Sequence, residues 1–247
     1  MKYVKTTSFR KLALAALSVC LLPAFAGATI ITTNGDFEAG SATGDNVNFE
    51  NTPNWTNRGT EGDTAVARRN NLNLGDSTYN AVINDRYNDF DAGGPFVSAE
   101  FGSVVHSQNT GYAIQAEDFF EVRYDWRDAF DWQPRDIVRV VLFATDNNTL
   151  GGSIVWSSIL DSDQRQVVGE WEPVFQTSSV VASEAVGQTL FVNFFGVDTG
   201  AEGAAGPTGF ARVNNLEVTA IPEPRVYALL AGLSVLALAL RRRFRSR

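Results

Sequence analysis

Phe120-Glu121-Val122-Arg123-Tyr124-Asp125-Trp126 places four large apolar side chains on even positions and three charged ones between them. Successive side chains of an extended strand point to opposite faces, so this run reads as a β-strand with one face on a core and the other in water. A helix would spread the same residues around its whole circumference. Leu190-Phe191-Val192-Asn193-Phe194-Phe195 is apolar on both faces except at Asn193, the pattern of a central strand covered on both sides. Ile137–Thr145 and Ser153–Leu160 are rich in β-branched residues, and Phe210–Ala220 alternates imperfectly through Val213, Leu216 and Val218. Further strands are expected at Thr29–Thr33, Thr64–Arg68, Tyr79–Ile83, Phe96–Phe101, Val104–Ser107, Tyr112–Ala116 and Trp171–Thr177.

Turn-forming clusters separate these runs: Asn34-Gly35-Asp36, Asn70-Asn71, Ala92-Gly93-Gly94-Pro95, Asp146-Asn147-Asn148, Gly151-Gly152 and the glycine-rich stretch from Gly200 to Gly209. No run between Thr29 and Ala220 has helical periodicity, and no repeat of 20 to 50 residues argues for a propeller or solenoid. Many short strands punctuated by turns predict an all-β domain, an antiparallel β-sandwich over residues 29–220. Seventeen phenylalanines and five tryptophans supply its core. The single cysteine, Cys20, lies in an apolar N-terminal run, so the domain must hold without disulfides or thiolate metal sites.

The 247-residue chain carries a formal charge of −8, and that charge is sharply segregated. Lys2, Lys5, Arg10 and Lys11 precede the apolar run Leu12–Leu22 and the small residues Ala24 to Ala28. This is the order of a secretory signal peptide over residues 1–28, with cleavage by signal peptidase after Ala26 or Ala28. Residues 28–221 contain ten arginines, no lysine and 27 acids, a net charge of −17. Nucleic acid is excluded as a partner on that ground, because phosphate binding requires neutralising cations.

Residues 221–247 combine Pro222-Glu223-Pro224, an apolar stretch from Val226 to Leu240 and the cluster Arg241-Arg242-Arg243-Phe244-Arg245. Fifteen helical residues span roughly 22 Å, short of a ~30 Å hydrocarbon core unless snorkelling arginines and flanking residues extend the reach. The combination resembles the PEP-CTERM sorting signal of bacterial surface proteins. That resemblance implies one C-terminal membrane helix with its arginines in the cytoplasm, and processing by an exosortase near Pro222, Glu223 and Pro224. It also implies a destination at the cell surface or in the extracellular matrix of a Gram-negative, exopolysaccharide-producing bacterium.

A second resemblance spans the domain. Thr33-Asn34-Gly35-Asp36-Phe37-Glu38, then Pro53-Asn54-Trp55, Ser107-Gln108-Asn109-Thr110-Gly111-Tyr112, Gly169-Glu170-Trp171-Glu172-Pro173 and Ala211-Arg212-Val213-Asn214-Asn215-Leu216-Glu217-Val218 follow an order similar to jelly-roll carbohydrate-binding modules of the galactose-binding-like type. In such modules a structural calcium ties the first strand to the last. Asp36 and Glu38 match the opening part of that site. Asn214 stands where an aspartate is usual, so charge at the closing part is lost. Calcium takes six to eight oxygen ligands, and the alternative is an Asx turn at Asp36 with Glu38 on the surface.

Sugar binding calls for an exposed aromatic face among amides and carboxylates. The densest such cluster runs from Asp125 to Asp136, and within it Trp132, flanked by Asp131 and Gln133 and followed by Pro134, is the expected stacking residue. Tyr79, Tyr87 and Tyr112 are lesser candidates, and Trp55, Trp126, Trp156 and Trp171 read as core. The lone histidine, His106, reads as an edge-strand residue rather than a base, and the common nucleophile, phosphate and zinc motifs are absent. The expectation is a non-catalytic surface or matrix module that requires no cofactor. It would bind a neutral extracellular polysaccharide or belong to a biofilm, since so acidic a domain repels anionic polymers. The alternatives are a secreted polysaccharide-degrading enzyme using a carboxylate pair and a passive matrix protein. One outcome tests the sorting signal: deleting the host's exosortase gene should leave the mature chain carrying the residues beyond Pro224, read by intact-mass measurement, and an unchanged C-terminus would refute the assignment.

Overall fold

The structure is a computed structural model that describes residues 28–39, 52–57, 68–70, 79–85, 105–164, 167–198 and 209–221, together with three single helical residues, Gly232, Ser234 and Arg241. The N-terminal signal segment up to Gly27, the Pro222-Glu223-Pro224 motif, Arg242, Arg243 and the strand expected at Phe96–Phe101 lie outside them. No helix among the described residues is long and apolar enough to cross a membrane. Residues 28–222 form one compact unit.

The described strands are β1 (Thr29–Ile30), β2 (Thr56–Asn57), β3 (Arg68–Asn70), β4 (Tyr79–Asn84), β5 (His106–Ala113), β6 (Phe119–Phe130), β7 (Ile137–Thr145), β8 (Ile154–Asp161), β9 (Glu172–Thr177), β10 (Thr189–Val197) and β11 (Phe210–Ile221). They form two antiparallel sheets. The six-stranded sheet has the order β3-β4-β11-β6-β9, with β1 also paired to β11, and the five-stranded sheet has the order β2-β5-β10-β7-β8. From β4 to β11 the chain changes sheet at every connection except the β7–β8 hairpin. The result is the antiparallel β-sandwich expected from the alternating pattern.

The period-two reading of the opening heptapeptide holds in detail. Phe120, Val122, Tyr124 and Trp126 are buried, whereas Arg123 is exposed and Glu121 and Asp125 half-exposed. The strand runs further than expected, to Phe130. Val104–Ser107 and Tyr112–Ala116 are not separate strands. Gly111 takes a φ of +70° within one strand, β5, where it interrupts the alternation without ending the ladder. His106 is not an edge histidine: it is fully buried, stacked on Phe194 at 4.4 Å, and its Nε2–H donates to the Val82 carbonyl of β4, 2.8 Å away. Burial lowers its pKa to about 3 and keeps the ring neutral.

The segment Thr33–Ala39 closes the sandwich across its first and last strands. Asn34 and Phe37 adopt positive φ of 52° and 57°, conformations that must be held by their surroundings. Phe37 is thereby turned into the core, against Trp55, Phe194 and His106. Gly35 lies against β11, where its carbonyl accepts the Leu216 N–H at 2.9 Å. An added Cβ there would stand 1.9 Å from the Leu216 oxygen, so no side chain fits. Thr32 Oγ1 accepts the Val218 N–H and donates to the Leu216 carbonyl.

From the opposite sheet, the buried Gln108 amide accepts the Thr33 N–H at 3.0 Å and donates to the carbonyls of Thr33 at 2.8 Å and Asn54 at 3.3 Å. One side chain of β5 thus secures the backbone of two separate segments. Gln108→Met keeps the shape and removes these bonds, leaving three backbone groups short of a partner. At about 1 kcal/mol per lost bond the expected loss is ~3 kcal/mol, read as a fall in Tm of roughly 10 °C by calorimetry.

Candidate functional site

The central strands of the five-stranded sheet are apolar on both faces, and the two faces do different work. Val192 and Phe194 of β10, with Val140 and Leu142 of β7, fill the core between the sheets. Phe191, Phe195, Val141 and Phe143 point the other way and form a second buried cluster on the outer face. Phe191 and Phe143 are cross-strand neighbours whose rings lie 5.3 Å apart and 21° from parallel.

Asn193 stands in the middle of this aromatic floor, between Ser107 of β5 and Val141 of β7 in register. It is fully buried, and neither the nitrogen nor the oxygen of its amide has a hydrogen-bond partner. Ser107 Oγ beside it is also buried and unpaired. A buried polar group left unpaired costs about 1–3 kcal/mol, and native structures retain few of them. The rim of the same face is open: Thr56, Asn109 and Ser157 are exposed, and Ile159 is 47% exposed. The centre itself is closed: Phe143, Phe191, Phe195, Asn193 and Ser107 are each at most 1% exposed, so none presents a face to a ligand. The sequence signal for the buried Asn193 was the single polar interruption of a strand apolar on both faces.

The residues expected to bind ligand are placed differently. Trp132 is 4% exposed and belongs to the inter-sheet core, so it presents no face for stacking on a sugar. The cause is local. Asp131, directly after β6, takes a φ of 53° and reverses the chain, which brings Trp132 to 6.0 Å from Trp126 and against Gly196 of β10. Asp131 and Gln133 are exposed, and Gln133 donates through Nε2 to the Asp131 carbonyl. Trp55, Trp126 and Trp156 are core as read, but Trp171 is only half-buried, with the Arg127 guanidinium 5.6 Å from its ring.

Each residue of the expected calcium set has a protein partner. Asp36 Oδ1 accepts the Glu38 N–H in an Asx turn, Glu38 Oε1 accepts the Tyr79 N–H of β4, and Asn214 Oδ1 accepts the Asn215 N–H. Among the described residues no three His, Cys, Asp or Glu side chains are grouped to hold a metal ion.

No protein-family model matches the chain, and no curated protein matches it. Solved structures similar to it include a Stig cyclase from Fischerella sp. TAU in complex with an indole compound, at 16% identity and a TM-score of 0.47, covering 79% of this chain and 99% of that one. The CBM22-1 xylan-binding domain of Paenibacillus barcinonensis Xyn10C is similar at 13% identity and a TM-score of 0.47, covering 80% and 97%. The enzymatically active domain of tailspike protein 4 from bacteriophage CBA120 is similar at 16% identity and a TM-score of 0.43, covering 78% of this chain and 21% of that one.

A carboxyl pair lies elsewhere, at the ends of four strands. Both oxygens of Asp85, after β4, accept the N–H of Gly209, before β11, at 2.8 and 2.9 Å. Asp136, before β7, is fully buried and accepts the Gln133 N–H at 2.7 Å, while Asp198, after β10, pairs with Arg135 at 3.1 Å. Burial pushes the Asp85 carboxyl up to about 7 against the pull of the Gly209 N–H, and the charge of Asp136 adds to the rise. Burial raises Asp136 as well, reinforced by Asp198. Gly209 and the backbone of Trp132 pack closely beside Asp85.

Linkage fixes the sign. The folded chain keeps a proton on Asp85 that the unfolded chain, with its ordinary value of 3.8, has released, so this contribution is full below pH ~4 and lost as pH rises through about 7. Asp85→Asn mimics the protonated acid. Measured by urea unfolding, its stability relative to the parent chain should climb between pH ~4 and ~7, by up to about 1.4 kcal/mol per pH unit, and stay level outside that window.

Proposed function

We propose that the chain is an exported, non-catalytic β-sandwich module of a bacterial surface or extracellular matrix, sorted through its C-terminal signal, which binds a neutral glycan. The observation that carries the reading is an antiparallel β-sandwich followed in the sequence by Pro222-Glu223-Pro224, an apolar stretch and an arginine cluster. The charge of −17 over residues 28–221 favours a neutral ligand over an anionic one. The non-catalytic part of the reading is supported by the raised carboxyls of Asp85 and Asp136 being buried and occupied by the backbone N–H groups of Gly209 and Gln133.

Replacing the orphaned amide of Asn193 by leucine, an apolar side chain of similar size, should stabilise the fold by about 1 kcal/mol, read by urea unfolding. Binding is read as retardation of the full chain in native gels containing neutral polysaccharide, which should exceed its retardation by an anionic one. Retardation by no neutral polysaccharide would leave a passive matrix role, and release of reducing ends would instead identify a hydrolase.

A further inference from the structure

The outer face of the six-stranded sheet carries a feature that the floor around Asn193 lacks. Trp171, Pro173 and Phe175 alternate along edge strand β9 and its approach, about 7 Å apart at each step. They lie beside Arg127, Asp125 and Arg123 of β6, with Asp125 and Pro173, and Arg123 and Phe175, in direct register. The Arg123 guanidinium stands 4.8 Å from the centre of the Phe175 ring, and Arg127 stands 5.6 Å from that of Trp171. These contacts fix both rings, yet Phe175 remains 56% exposed.

Alongside runs an open groove of about 530 Å³. Its far wall is made by a bulge in β11, where the register to β6 shifts between Asn214 and Glu217 and Asn215 takes a φ of 53°. The bulge sends the Asn215 amide across to Asp125 Oδ2, 2.8 Å away. Bulges of this kind re-aim side chains, and they concentrate at binding sites.

We propose that this face is the ligand site, a track along β9 for an extended neutral polysaccharide. Three features select that occupant. The rings at either end give stacking surfaces, and the wall between them mixes donors from Arg123 and Asn215 with acceptors from Asp125 and Glu217, as hydroxyl-rich chains require. The carboxylates repel a polyanion. An extended peptide would bind such an edge by adding a strand, but Pro173 interrupts β9 with a residue that has no N–H to donate. The glycan as occupant rests on the function proposed above, whereas the geometry of the track does not.

The test uses the full chain as parent, Phe175→Ala and Phe175→Trp, each run in native gels containing xylan, glucomannan or mannan. Phe175→Ala should weaken retardation about tenfold, and Phe175→Trp should restore it. An exposed ring is not needed for folding, and unchanged Tm values check this. If Phe175→Ala is retarded as the parent chain is, the track is refuted while glycan binding elsewhere on the module stands. If no neutral polysaccharide retards the parent chain, the proposed function and the track's occupant are both refuted. Loss of binding only to a proline-rich peptide, with all polysaccharides bound as by the parent chain, would refute the glycan as occupant.

Discussion

The side-chain amide of Gln108 is the joint on which the sandwich turns. It projects from the five-stranded sheet and takes both the N–H and the carbonyl of Thr33, in the segment that lies against the last strand of the other sheet, and it also holds the carbonyl of Asn54. Two residues earlier on the same strand, His106 reaches Val82 of the six-stranded sheet and stacks on Phe194 of its own. β5 thus fastens the sheets with two polar side chains in a largely apolar interior. Because these bonds are buried, water cannot replace them without first entering the core. In a domain with no disulfide they supply part of the directional specificity that hydrophobic burial lacks.

The same interior shows what a polar group means when it is not so employed. Gln108 and Asn193 are both buried amides on adjacent strands, yet one is bonded throughout and the other not at all. Packing alone would favour an aliphatic side chain at Asn193. At the centre of a buried phenylalanine cluster its unpaired amide is a cost to stability that no bond of its own offsets.

How much was legible depended on the range of the interaction. The strand from Phe120 to Trp126 could be read because alternation is a local property. The boundaries of β7 matched the expected Ile137–Thr145 because enrichment in β-branched residues is equally local, although both faces of that strand are buried. Gly111 misled because a glycine in mid-strand looks like a turn until the partner strand is seen to continue past it. Trp132 was misplaced because its burial depends on the left-handed backbone of Asp131 and the bare surface of Gly196, a residue 64 positions further on. Trp171 was taken for core because sequence cannot tell a ring that faces the interior from one held outside by an arginine on a neighbouring strand. In the opening Thr33–Glu38 the acids drew attention in the sequence, whereas the backbone hydrogen bonds, the Gly35 contact and the burial of Phe37 depend on β11 and β5 and could not be read locally.

The position of β11 has a consequence for the order in which the domain can assemble. It is the last described strand of the domain, and it is central to its sheet, paired with β6 along one side and with both β4 and β1 along the other. Until residues 210–221 arrive, β6 has no partner on that side, β1 has none at all, and Gly35 and Thr32 have nothing to close upon. The strands that precede β11 cannot finish the six-stranded sheet among themselves. Such an order delays commitment: the six-stranded sheet stays open until residues 210–221 join it, and then closes around its final described strand.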